Sequence, residues 1–295
     1  MTDARFESGA PDYAAYLQTV EGRLRLDIAW ENFLSAINEA GEARSESDEP
    51  GTSAGGAKPA RAPEAGRGGA GETKRALDLG GGTGALALRF AALGWHASIV
   101  DPSATMLALA AESARARALA AHITFHQSDA ETAHQLFAPQ TFDAATCHNV
   151  LEYVSDPHAA VRALAALVKP GGMVSLVARN RAGEAMRAAL KSHDLDEAER
   201  ALTAGQVNES LYGGPARLYD ARALSELATG AGLSVLATRG VRVVADYLPA
   251  SLSGTPDAYA RLLSFERMLG ARPEFAAVAR YAQIIARKER VAANA

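Results

Sequence analysis

The chain has 295 residues, 48% hydrophobic and 22% charged, a balance typical of an ordinary globular protein with enough apolar surface for a core. No run approaches the roughly 18 apolar residues of a membrane helix, and the polar opening Met-Thr-Asp-Ala-Arg-Phe lacks a signal peptide's apolar stretch, so the expected location is the cytoplasm. A formal charge of −4 argues against a protein that coats nucleic acid, yet residues 160–295 hold 18 Lys and Arg against 13 Asp and Glu, +5, leaving −9 elsewhere; a local basic surface for a polyanion or carboxylate fits this, as do scattered solvated arginines.

In chain order, Leu24, Ile28, Phe33, Leu34 and Ile37 recur at largely helical spacing and predict a helix over 21–40. A lone helix of this length is marginal in water, so the segment 1–40 is expected to fold back on the main domain as a cap. Residues 41–73 hold no Leu, Ile, Val, Met or aromatic residue; such a stretch cannot bury enough apolar area to offset the entropy of ordering it, and it reads as a disordered insert. From 74 to 295 short apolar runs alternate with longer helical ones, the signature of a parallel sheet doubly wound with helices. Strands are expected at 75–79, 96–100, 123–126, 142–147 and 173–178. Between them lie helices at 85–93, at 103–120 with Ser103 as N-cap, and at 156–168 with Asp156 as N-cap and Pro157 in the first turn. Lys169-Pro170-Gly171-Gly172 is expected to stop that last helix and turn the chain into the fifth strand. A polar helical stretch at 183–205, a loop around Gly213-Gly214-Pro215, a helix at 220–229 and strands at 233–244 and 280–286 complete the reading.

Leu77-Asp78-Leu79-Gly80-Gly81-Gly82-Thr83-Gly84 stands where the first strand should end and a helix begin. Glycines there let the backbone turn sharply and let a cofactor approach the main chain. Asp101, at the end of the second strand, offers a carboxylate to a ribose diol. Gly80, Gly82 and Ala85 also fit the dinucleotide pattern, so a nicotinamide oxidoreductase enters as a competing class. The rest of the pattern separates the two. Asp78 precedes the first glycine by two residues, Asp129-Ala130-Glu131 follows the third strand, and the fourth strand runs into Cys147-His148-Asn149-Val150-Leu151-Glu152-Tyr153 before Lys-Pro-Gly-Gly. Jointly these motifs resemble the class I S-adenosylmethionine-dependent methyltransferases over most of 74–180, with a Rossmann-like sheet implied. The lone Cys147 reads as a packed small residue, and the seven histidines show no zinc-type spacing.

Outside that core, Gly22-Arg23-Leu24-Arg25 with Ala29-Trp30, Gly240-Val241-Arg242-Val243 with Asp246-Tyr247-Leu248, and the stretch Gly270-Ala271-Arg272-Pro273 to Ala279-Arg280-Tyr281 look like the bacterial tRNA 5-carboxymethoxyuridine methyltransferases. The insert departs from that family, and 183–219 matches it poorly, where a substrate-covering element is expected. The resemblance implies cofactor contacts at Arg25, Gly80, Gly81, Asp101, Ala130, Glu131 and His148, to which the glycine-loop reading adds Asp78, Gly82 and Gly84. It also implies tRNA as partner and a carboxylate as methyl acceptor, with a small-molecule acceptor or a non-catalytic cofactor-binding module as alternatives. Arg25 could grip a methionyl carboxylate in a bidentate fork. His148 could line the cofactor pocket, act as a general base, or cap its strand. Arg242 and Tyr247 are candidates for the acceptor, Arg179 and Arg181 for nearby phosphates. A carboxylate acceptor needs no base, because it is already ionised at neutral pH.

Overall fold

The computed structural model describes residues 4–47, 73–209 and 211–289. Three helices come first: α1 (Ala4–Ser8), α2 (Ala10–Tyr16) and α3 (Val20–Ser47). The alternating part follows as β1 (Arg75–Leu79), α4 (Ala85–Ala92), β2 (His96–Asp101), α5 (Ala104–Ala116), β3 (Ile123–Gln127), β4 (Phe142–His148), α6 (Pro157–Leu167) and β5 (Val168–Arg179). Beyond it lie α7 (Arg181–Arg187), α8 (Leu195–Ala204), β6 (Gln206–Asn208), β7 (Pro215–Arg217), α9 (Ala221–Gly230), β8 (Leu233–Val241), α10 (Pro256–Gly270), α11 (Pro273–Ala276) and β9 (Tyr281–Lys288). The seven-stranded sheet has the order β3-β2-β1-β4-β5-β9-β8, with β1 to β5 parallel and β9 antiparallel to both its neighbours. This is the Rossmann-like α/β sheet that the sequence anticipates.

Alternation along each strand sends side chains to two covered faces. Leu77, Leu79, Leu176 and Ile284 meet α6 and α9 through Leu164, Leu167, Leu224 and Leu227. Ala76 and Ile285 point the other way, into a cluster with Trp30, Phe33 and Ile37 of α3 and Leu86 and Phe90 of α4. The caps read from sequence form: Ser103 accepts from Met106 N at 3.1 Å and Asp156 from Ala159 N at 3.0 Å.

Four boundaries differ from expectation. α3 continues to Ser47, past the expected end at residue 40. Residues 41–47 include Glu, Ala and Arg and no Pro, and an established helix elongates one bond per residue without needing an apolar face. The rest of the expected insert, 48–72, lies outside the described residues. β5 begins at Val168 and absorbs Lys-Pro-Gly-Gly, so the expected turn is a kink within a strand: pairing jumps from Phe142↔Val168 to Ala144↔Met173, and Gly171 takes φ 78°. The helical stretch at 183–205 is broken, with His193 left-handed at φ 55° and Asp194 capping α8. The strand expected at 233–244 ends at Val241, because Arg242 turns left-handed (φ 61°) and the N–H groups of Val243, Val244 and Ala245 donate to the buried Glu266 carboxylate at 2.6, 3.0 and 2.6 Å. Glu266 belongs to α10, a helix the sequence reading omits.

The N-terminal cap is held by aromatic packing, Trp30 edge-on to Phe90 at 4.9 Å and Phe33 at 6.4 Å, with Phe33 fully buried. Phe33→Ala is expected to lower the unfolding free energy by about 3–5 kcal/mol. Urea denaturation checks this, and a loss below about 1 kcal/mol would mean that α3 docks by other contacts.

Candidate active site

A cavity of about 900 Å³ opens at the carboxyl ends of the parallel strands, near the upper limit for small-ligand sites and roomy enough for more than one small molecule. Gly80 lines it directly after β1 with φ 66°; a Cβ there would stand 2.2 Å from Val150, so only glycine permits this turn. Gly82 N donates to Asp101 Oδ2 at 2.8 Å and Ser103 N to Oδ1 at 2.9 Å, which aims the carboxylate into the cavity and leaves each oxygen a further lone pair. Burial pushes the Asp101 carboxyl up to about 6 despite those bonds. Ala130 and Glu131 line the same end, with Glu131 Oε1 accepting from Ser155 N at 3.0 Å. Gly84 is set back, starting α4 against Ile99 and Ala110.

Asp78 and Gly81 do not reach this cavity. The Asp78 carboxylate turns inward, accepting from Thr146 Oγ1 at 2.8 Å and Ala87 N at 3.3 Å, and burial pushes it up to about 6. With Arg25, Gly80, Gly81 and His148 it borders a second, separate space of about 20 Å³, the size of one water molecule. Asp78 thus braces the glycine loop through Ala87 N and borders the smaller space beside the main cavity.

Arg25 reaches over from α3. Its guanidinium donates to Asn149 Oδ1 and, at 2.9 Å, to Tyr13 OH, while its buried Nε has no protein partner. Arg25 lines the cavity, and a guanidinium there suits a ligand carboxylate. His148, at the tip of β4, pairs through Nε2 with Ser175 Oγ at 2.8 Å, and Ser175 Oγ also accepts from Gln283 Nε2 at 3.0 Å. Burial, aided by the Arg25 guanidinium, pushes His148 down to about 3. The ring is neutral, with one nitrogen committed to the sheet.

The opposite end is a wall of guanidiniums assembled by strand register. Arg179 of β5 lies across from Tyr281 of β9, which lies across from Val241 of β8, and Arg242 follows at once. Arg242, Arg280 and Arg25 each hold their guanidinium carbon 5.9 Å from the Tyr281 ring centre. Burial alone would raise the Tyr281 phenol, but Arg179, Arg242, Arg280 and Arg25 draw it below its ordinary range. Carboxylates brace the wall: Arg179 Nη2 meets Glu209 Oε1 at 2.8 Å, Arg187 Nε and Arg280 Nη1 both reach Glu184, and Arg242 pairs with Asp246 while donating to Tyr16 OH at 3.0 Å. Burial would raise Glu184, but Arg280, Arg179 and Arg187 hold it below the ordinary carboxylate range.

Of the acceptor candidates, Arg242 and Arg179 line the cavity, whereas Tyr247 and Arg181 stand off its wall and Asp246 takes the place expected of Tyr247. The sequence reading gave no role to Tyr13, Tyr16, Glu184, Glu209 or Tyr281, all of which line it. Arg280-Tyr281 was visible as part of a motif. The two glutamates lie in the 183–219 stretch, where no motif marked them.

Comparison with known proteins identifies the chemistry. The family described as methyltransferase domain matches residues 49–238. The tRNA 5-carboxymethoxyuridine methyltransferase of Escherichia coli (strain K12) is 26% identical, covering 98% of this chain and 97% of that protein. The ubiquinone biosynthesis O-methyltransferase of Aeromonas salmonicida is 36% identical but over only 37% of this chain and 44% of its own. Among solved structures, a SAM-dependent methyltransferase from Methanosarcina mazei superposes with a TM-score of 0.50 at 19% identity, covering 75% of this chain and 95% of that one. The cyclase SpnF gives the same TM-score at 22% identity over 74% and 76%. The chain belongs to the methyltransferase-domain family, is an enzyme of that class, and uses S-adenosylmethionine. Among the described residues, no helix is long and apolar enough to cross a membrane.

Because the Asp101 carboxyl titrates near 6, and only its ionised form accepts from two hydroxyls, cofactor affinity is expected to fall as pH drops through about 6. Asp101→Asn should weaken binding by roughly 1.5–3 kcal/mol at pH 8 and reduce that pH dependence. Calorimetric titration with S-adenosylhomocysteine at several pH values measures both, and an unchanged dissociation constant in the folded variant removes the proposed contact.

Proposed function

We propose that this S-adenosylmethionine-dependent methyltransferase esterifies a carboxylate carried by a modified uridine of tRNA, 5-carboxymethoxyuridine. One observation carries the reading: the end of the cavity remote from Asp101 is walled by guanidiniums around Tyr281, and the histidine beside it is neutral with Nε2 engaged by Ser175. The wall suits an anionic acceptor, and such an acceptor needs no base. The end-to-end likeness to a tRNA 5-carboxymethoxyuridine methyltransferase supports the same choice.

On this reading Gly80, Gly82, Asp101, Ala130 and Glu131 hold the adenosyl part of the cofactor, and the Arg25 guanidinium the methionyl carboxylate. Asp78, Gly81 and Gly84 support the loop from behind. When bound, the cofactor supplies an electrophilic methyl group on a sulfonium. Arg179 and Arg242 would fix the acceptor carboxylate so that one oxygen lies in line with the methyl carbon, which makes alignment the main source of acceleration. A bond forms from that oxygen to carbon as the carbon–sulfur bond breaks. Carboxylate and sulfonium charges cancel, and no proton moves. His148 then serves to line the pocket, its ring fixed by Ser175 and Gln283.

A second reading, methylation of a hydroxyl on a small molecule, draws on Tyr281: a phenol acidified by four guanidiniums could take the hydroxyl proton. Incubation with labelled cofactor, followed by separation of tRNA and metabolite pools, decides between them. Label in tRNA that mild base releases as methanol is expected; base-stable label in a small molecule would favour the ether reading instead.

Arg242→Lys keeps a charge beside Asp246 but loses the planar fork. It is expected to lower kcat/KM for modified tRNA by roughly 10- to 100-fold, the equivalent of one charged hydrogen bond, with the S-adenosylhomocysteine dissociation constant unchanged. Full activity of the variant would take Arg242 out of the acceptor site.

A further inference from the structure

Tyr281 stands among the guanidiniums of the wall and is itself an acid. It lines the cavity yet is only 4% exposed, and cations reach it from four directions. Arg179 faces it across the pairing of β5 with β9, while Arg25 of α3, Arg242 of the turn after β8 and Arg280, its neighbour in the chain, each lie 5.9 Å from its ring centre. Tyr16 of α2 accepts from Arg242 at 3.0 Å and is hydrogen-bonded to Tyr281 as well. The nearby carboxylates are already engaged: Glu184 of α7 by Arg179, Arg187 and Arg280, Glu209 by Arg179, Asp246 by Arg242, and Glu197 of α8 by Arg187. Arg25 has only neutral partners among the described residues, Tyr13 and Asn149. His148 of β4 is uncharged, and Tyr259 of α10, packed in the same cluster, turns its hydroxyl to Asp27. Positive charge is thus left over, and the group placed to offset it is a phenol. Burial alone would raise Tyr281, but Arg179, Arg242, Arg280 and Arg25 outweigh it and hold the phenol below its ordinary range.

We propose that Tyr281 is a built-in counter-ion of the wall, a phenolate in the absence of acceptor that becomes a phenol when an anionic acceptor takes its place among the guanidiniums. The inference rests on the carboxylate reading above and gives it a cycle. Two anions beside the same cations repel, and the phenolate, the stronger base of the two, takes a proton from solvent. Methyl transfer then removes the acceptor's charge. The phenol returns its proton to solvent, and the restored phenolate reclaims the guanidiniums from an uncharged ester. One proton is taken up at binding and one released after transfer, so none moves in the transfer itself. Acceptor affinity is therefore constant below the phenol's midpoint in the free protein and falls about tenfold per pH unit between that midpoint and the occupied one. This trend is opposite in sense to that of the cofactor contact at Asp101.

Ultraviolet absorbance of tyrosinate reads the charge directly, on the full chain saturated with S-adenosylhomocysteine so that added acids stay off the cofactor's own contacts. One of the eight tyrosines is expected to ionise below about pH 9, a full unit under the ordinary phenol at about 10, and Tyr281→Phe should abolish that step. Methoxyacetate at constant ionic strength should raise the midpoint by at least about one unit, tenfold in proton affinity, whereas its uncharged methyl ester should leave it in place. Tyr16→Phe keeps every charge of the cluster but removes one hydrogen bond to the phenolate, so it too should raise the midpoint, and the assignment survives if Tyr281→Phe fails to fold. No tyrosine ionising below about pH 9 overturns the counter-ion and leaves the carboxylate reading standing. A low midpoint that methoxyacetate does not move overturns the counter-ion alone when the wild type places a base-labile methyl group on tRNA, and both readings when it does not. Equal shifts with the acid and its ester assign the change to occupancy instead of charge and overturn the proposal, as does a low midpoint indifferent to both substitutions.

Discussion

Buried guanidinium–carboxylate pairing is the constraint from which the arginine-lined end of the cavity is built. Arg242 and Asp246 are both nearly inaccessible, and Glu184 and Glu209 are likewise buried against Arg179, Arg187 and Arg280. Removing such charges from water costs several kcal/mol per ion, so each must find its partner or the fold loses more than it gains. That demand fixes four separate parts of the chain against one another: the end of β5 with α7, Glu209 after β6, the turn after β8 and the start of β9. Glu266 adds a further requirement, since its carboxylate satisfies three backbone N–H groups and thereby holds Arg242 in a left-handed conformation that a strand would forbid. Hydrophobic replacement would pack such a space at no electrostatic cost; retaining cations there favours an anionic ligand.

The same pairing tempers the cations. A lone guanidinium beside a nucleophilic carboxylate would stabilise it before reaction and lose that stabilisation as its charge disappears, which slows transfer. Guanidiniums already shared with Glu184, Glu209 and Asp246 attract more weakly while keeping their directional N–H groups. On the proposed reading the wall orients an anion without sequestering it. Tyr281 completes this balance as a neutral or ionised neighbour of four arginines, and its place in the register between Arg179 and Val241 makes it part of the wall by construction.

Much of the cofactor end was legible in the sequence because backbone geometry there demands particular residues. Gly80 takes a positive φ against Val150, and Asp101 ends a strand whose neighbour supplies the N–H of Gly82. Those requirements act over a few residues and leave a local trace. Asp78 was legible as an acid but not in its direction, which depends on Thr146 of β4 and Ala87 of α4, each brought near only by tertiary packing. The acceptor end left less trace. Glu184, Glu209, Tyr212 and Tyr281 meet across strands and inserted helices, where charge and aromatic residues carry no periodicity. Tyr247 illustrates the ambiguity, for the motif Asp246-Tyr247 reads equally well in either residue, and the turn after β8 places the aspartate among the lining residues. Residues 41–47 err the other way: a segment without apolar side chains cannot build a core, yet it can still prolong a helix nucleated elsewhere.

A shared sheet does not select a reaction, since a methyltransferase and a cyclase superpose on this chain equally well. Selection has to come from groups the sheet merely carries. In this chain those groups are the paired cations of the wall: Arg179 and Arg242 both line the cavity, each held by a buried carboxylate, Glu209 and Asp246. On the proposed reading their remaining N–H groups face an acceptor carboxylate, whose charge and two oxygens match a guanidinium's planar donors. A hydroxyl acceptor would offer the same donors a much weaker partner.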